Sequence, residues 1–108
     1  MTDPTRLLAL AEECERATAA NYELECRIGQ AIEWPTTVPP PFTADAGAAL
    51  RLVPSRFQDW NIRRRNGERH DVELCIPSHE VHGMGHTLPL AICAASLRAL
   101  AEEASDGE

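Results

Sequence analysis

The apolar residues recur at helical spacing near both ends of the chain and alternate in its middle. Leu7, Leu10, Ala11, Cys14 and Ala17 follow the three-and-four spacing of one buried helix face, and Asp3-Pro4 supplies a capping carboxylate with proline at the first helical position. Leu24, Ile28, Ala31 and Ile32 repeat the spacing behind a second cap, Asn21. Ala17 to Ala20 would let one bent helix run through, and only Asn21 argues for a break. Trp34 to Pro41 holds prolines at positions 35, 39, 40 and 41 and reads as an extended connector inside one fold. Thr43 then caps a short helix through Leu52 or Val53, with Asp45 in its first turn and Pro54 as its stop. The clearest stripe is the last: Leu90, Cys93, Ala94, Leu97, Leu100, Ala101 and Ala104 share one face, and the tail 105–108 should fray.

Between these helices lie two strands. Trp60 and Ile62 share one strand face and Val72, Leu74 and Ile76 another, with Asn66-Gly67 between them. A two-residue turn would set even-numbered apolar positions against odd-numbered polar ones, leaving no dry face. An odd-length loop such as Arg65-Asn66-Gly67, with glycine left-handed in a bulge, repairs the parity. Arg63 and Arg65 then share the outer face with Asp71, Glu73 and Cys75. Pro77 ends the second strand, and Glu80-Val81-His82 reads as a short edge strand. The elements predict one α+β domain over 1–108, a small antiparallel sheet with helices on it.

Composition narrows the class. The 108 residues suit a single core, and only five aromatics contribute to the 44% hydrophobic content, so the core is small and aliphatic and self-association is the expected supplement. The net charge of −7 is uneven, because acidic ends bracket a mildly basic hairpin spanning Ser55 to Ile76. Without a broad positive stripe, direct nucleic-acid binding is disfavoured. All ten basic residues are arginines, which suits bidentate contacts to phosphate or carboxylate, although codon bias in a GC-rich genome explains the same fact better, without function. No secretory or membrane-spanning run is visible. A soluble protein of the cytoplasm is expected, with Cys14, Cys26, Cys75 and Cys93 reduced.

The candidate chemistry concentrates after the second strand. Gly83-Met84-Gly85-His86-Thr87 reads as a two-glycine loop running into a capped helix, an arrangement whose backbone N–H groups can hold an anion. Gly83, Gly85, His86 and Thr87 are the expected ligand site, with Arg63 and Arg65 adding charge from a neighbouring hairpin. Its bland counterpart is glycine used for turning and threonine used for capping. Cys75, His79, His82 and His86 are zinc-type ligands, but they form one irregular local run with no returning pair, so no metal or other cofactor is expected. Ser78-His79-Glu80 is a run of neighbours and not a triad, Cys93 lies on the apolar stripe, and no base is fixed by a third group. The chain does not read as an enzyme.

Leu24 to Ile28 behind a leucine-rich first helix, Phe42-Thr43-Ala44-Asp45-Ala46-Gly47-Ala48-Ala49 with Leu52-Val53-Pro54, a hairpin, and Thr87 to Ala95 together resemble the small phage and prophage proteins classed as phage ABA sandwich domains. The resemblance covers most of the chain and implies an antiparallel sheet between helices, an α-β-α sandwich, and a bacteriophage origin. It carries over no catalytic residue. A small non-enzymatic phage protein is expected to act by binding: as a counter-defence or host-takeover protein, within which class a nucleotide-type immune signal suits a glycine loop and arginines. The alternatives are an acidic anti-CRISPR-like inhibitor that fills a nucleic-acid channel of a host defence protein with Glu12, Glu13, Glu15, Glu102 and Glu103, and a ligand-free phage accessory or structural protein.

Overall fold

A computed structural model describes residues 3–57, 59–65, 69–76 and 79–106. Helix α1 (Pro4–Arg16) starts where Asp3 accepts the Thr5 N–H at 3.0 Å, and α2 (Tyr22–Ala31) starts where Asn21 accepts the Leu24 N–H at 3.1 Å. The Asn21 cap therefore wins over the permissive alanines, and the N-terminal segment is two helices. The short α3 (Ala46–Leu50) is capped by Asp45, whose carboxylate accepts the Gly47 N–H at 2.8 Å. The expected Thr43 cap is thus corrected. Thr43 is buried and committed to α2: its N–H and hydroxyl donate to the buried Glu25 carboxylate at 3.1 and 2.6 Å, and its oxygen accepts the Asn21 N–H at 2.9 Å. This contact fastens the proline connector to α2.

Strands β1 (Asp59–Arg65), β2 (Arg69–Ile76) and β3 (His79–Gly85) form an antiparallel sheet in that order. Arg65 pairs with Arg69, Ile62 with Val72 and Trp60 with Leu74, so even-numbered positions face even-numbered ones, as the parity of the apolar residues requires, with the pairing one residue further on than Arg65-Asn66-Gly67 would set it. The left-handed glycine expected there, and the Trp60 side chain, lie outside the described residues. Val72, Leu74, Val81, Gly83 and Gly85 make a buried face, whereas Ile62, expected in the core, is 43% exposed because β1 is an edge strand.

Helix α4 (Leu88–Asp106) covers that face and extends into the expected tail. A single stripe was expected, yet every residue from Leu90 to Leu97 is buried, since the sheet packs on one side of α4 while α1 and α3 pack on others. A helix apolar all round belongs in the middle of a fold. The molecule is α+β, a small antiparallel sheet packed against α4 and α1.

Candidate functional site

The two glycines expected to form an anion-binding loop lie inside β3. A Cβ at Gly83 would stand 2.2 Å from the Ala95 nitrogen and 2.7 Å from the Ala91 oxygen, and one at Gly85 would stand 2.6 Å from the Ala91 nitrogen. Glycine is required here because the α4 backbone rests directly on the strand. The space over the glycines is filled by Ala91 and Ala95. At the helix N-terminus Leu90 N–H is held by Thr87 Oγ1 at 3.4 Å, and Pro89 has no N–H to offer. His86 is exposed beside this cap. Gly83, Gly85 and Thr87 are corrected to packing and capping roles. Arg63 and Arg65 pair in register with Asp71 and Arg69, and their side chains lie outside the described residues.

Strand alternation likewise divides the expected zinc run. His79 turns to α4, where its Nε2 lies 2.8 Å from both Glu102 carboxylate oxygens, and His86 follows the strand end. Cys75 and His82 instead share the outer sheet face with Glu73 and Glu80, through the pairs Cys75↔Glu80 and Glu73↔His82. Cys75 Sγ donates to Glu73 Oε1 at 3.3 Å, and His82 Nε2 lies 3.2 Å from Glu80 Oε1. Partial burial, the Glu73 hydrogen bond and the carboxylates of Glu73, Glu80 and Asp59 push the Cys75 thiol above its ordinary value. The acidic members of this group were legible only through register, because no linear motif unites them.

A groove of about 540 Å³ opens beside the C-terminal half of α2, lined by Cys26, Gly29, Gln30, Glu33, Trp34 and Thr37 among others. Its floor follows from the way α2 ends. Trp34 N–H reaches Gly29 C=O at 2.8 Å and Glu33 N–H reaches Gln30 C=O at 3.3 Å, a Schellman motif with Glu33 at φ 58° where glycine is usual. Trp34 packs edge-on against Phe42, with centroids 5.5 Å apart, and the Arg51 guanidinium lies 4.9 Å from a Trp34 ring centroid. Arg6 reaches Gln30 Oε1 at 3.5 Å from α1. The groove was missed in the sequence, where Trp34 and the prolines after it read only as a connector.

The acids considered as phosphate mimics are largely engaged. Glu13 accepts two hydrogen bonds from Arg27, Glu15 two from Arg98, Glu102 meets His79, and Glu103 lies 3.7 Å from Arg56. Cys93 is buried against Phe42 C=O at 3.2 Å, and its thiol is pushed far up by Cys14 and by burial, which makes it a packing residue. Among the described residues no helix is long and apolar enough to cross a membrane. No family model, no curated protein and no solved structure matches the chain.

Proposed function

We propose that this chain is a non-enzymatic binding protein that takes a small anionic ligand of nucleotide type in the α2 groove. Given the resemblance of its sequence to phage ABA sandwich proteins, it would serve a bacteriophage by sequestering a host immune signal. The observation that carries the reading is Trp34, which lines the groove with an aromatic surface suited to a base, while the Arg51 guanidinium, 4.9 Å from its ring centroid, adds positive charge behind that wall for a phosphate. The groove volume lies within the roughly 300–1,000 Å³ common for small-molecule sites. Thr36, Thr37, Gln30 and Glu33 add groups able to hydrogen-bond a sugar.

Self-association belongs to the same proposal. With β1 at the sheet edge and Ile62 exposed on it, a second copy has a strand to add to. Calorimetry of the full chain against cyclic di- and trinucleotides and ADP-ribose derivatives tests the ligand, with Trp34→Ala and Arg51→Ala as variants. Saturable binding to one class, lost in both variants, is expected. Absence of binding across the panel, in a protein that still blocks a defence system, would overturn the reading.

A further inference from the structure

We propose that the outer face of the sheet binds a divalent transition cation of the zinc class, through Cys75, Glu73, Glu80 and His82. These four side chains occupy the corners of one square of the β2–β3 ladder. Glu73 and Cys75 are two apart on β2, Glu80 and His82 two apart on β3, and the pairs Cys75↔Glu80 and Glu73↔His82 close the square. Residues so placed project to one side of a sheet with facing Cβ atoms about 5 Å apart, within reach of a shared ion.

The distances fit. Metal bonds of about 2.0–2.3 Å in a tetrahedron set ligand atoms roughly 3.3–3.8 Å from one another. The ligand atoms of Glu73, Cys75 and Glu80 all lie within 4.8 Å of each other, with Sγ to Glu73 Oε1 at 3.3 Å. His82 stands next to this group of three, with Nε2 3.2 Å from Glu80 Oε1, and a rotation of its half-exposed side chain would bring it in as the fourth ligand. Its other ring nitrogen, Nδ1, lies 3.9 Å from both Asp71 Oδ1 and Glu73 Oε2, so carboxylates surround the imidazole on this face.

The donor set names the cation class. A thiolate and an imidazole are poor ligands for calcium or magnesium, which take oxygens, and good ones for zinc. Binding displaces the Cys75 proton to solvent, so that thiolate and two carboxylates face a 2+ ion. The site lies on the sheet, apart from the α2 groove, and does not depend on the ligand proposed there.

The test is titration of the full-length, tag-free, reduced protein with Co²⁺, followed by displacement with Zn²⁺. One equivalent should bind, with a near-ultraviolet thiolate-to-cobalt band that Cys75→Ser abolishes. Zinc affinity should fall at least about tenfold in Cys75→Ser and in His82→Gln. His82 is half exposed, so its variant keeps the test open should Cys75→Ser fail to fold. Absence of saturable binding would overturn the site. So would a cobalt band that persists in Cys75→Ser, or an affinity that depends on His79 and not on His82.

Discussion

The Arg98 guanidinium donates to both carboxylate oxygens of Glu15, at 2.6 and 2.7 Å, and this ion pair covers part of the β3 edge of the sheet. Glu15 also accepts the Met84 N–H at 3.0 Å, and Arg98 also donates to the His82 carbonyl at 3.0 Å. Two side chains thereby take up two of the backbone groups that a fourth strand would otherwise pair with on β3. Exposed strand edges invite pairing with other chains, and covering them is a common protection. The Glu15 main-chain carbonyl accepts from Arg69 on β2, so the end of α1 is tied to two strands and to α4.

Acid should loosen this corner. Burial pushes the Glu15 carboxyl up, but the Arg98 hydrogen bond, the Met84 N–H and the charges of Arg98 and Arg69 outweigh it and hold the group below its ordinary value. A depressed carboxyl contributes stability above its unfolded value, about 4.3, that is lost as pH falls through the folded one. Urea unfolding across the acid range should show that loss. Glu15→Gln should cost about 1–3 kcal/mol at neutral pH and flatten the acid slope.

Gly83→Ala should destabilise by about 2 kcal/mol or more, since the clashing atoms are helix backbone and cannot swing aside. Thermal or urea unfolding reads it directly. An anion-binding loop would predict the opposite pattern, with ligand affinity lost and stability kept. Gly85→Ala should follow in the same direction against Ala91.

The glycines show how far the sequence could be read. Caps at Asp3 and Asn21, the parity of the hairpin and the stripe from Leu7 to Cys14 were legible because each depends on neighbours in sequence. Gly83 and Gly85 were misread because a glycine needed for a turn and one needed for a helix to approach look alike in one dimension. Thr43 was misassigned for a related reason: its partner Glu25 lies eighteen residues away on another helix. Cys75 and His82 were picked out among the candidate ligands, whereas Glu73 and Glu80 joined them only once β2 and β3 were in register.

Ser96→Ala should stabilise the protein. Ser96 is fully buried on α4, and its hydroxyl has no hydrogen-bond partner among the described residues. Leaving such a group dry costs about 1–3 kcal/mol, and alanine also favours the helix. A gain of about 1 kcal/mol in urea unfolding is the expected outcome. A loss would mean that the hydroxyl's packing volume matters more than its desolvation.

Glu33 sets stability against binding within one residue. At φ 58° it holds a left-handed conformation that costs a non-glycine residue about 1 kcal/mol, and the Schellman hydrogen bonds of Trp34 and Glu33 keep it there. Glu33→Gly removes that cost without disturbing either main-chain bond. The exposed carboxylate gives up a surface interaction worth about 0–1 kcal/mol in exchange, so the net gain is at most about 1 kcal/mol. The same carboxylate lines the α2 groove, where it can accept hydrogen bonds from a sugar. Unfolding and calorimetry on Glu33→Gly should therefore diverge, with a higher melting temperature and weaker nucleotide affinity. If both improved together, the glutamate would have no part in the ligand site.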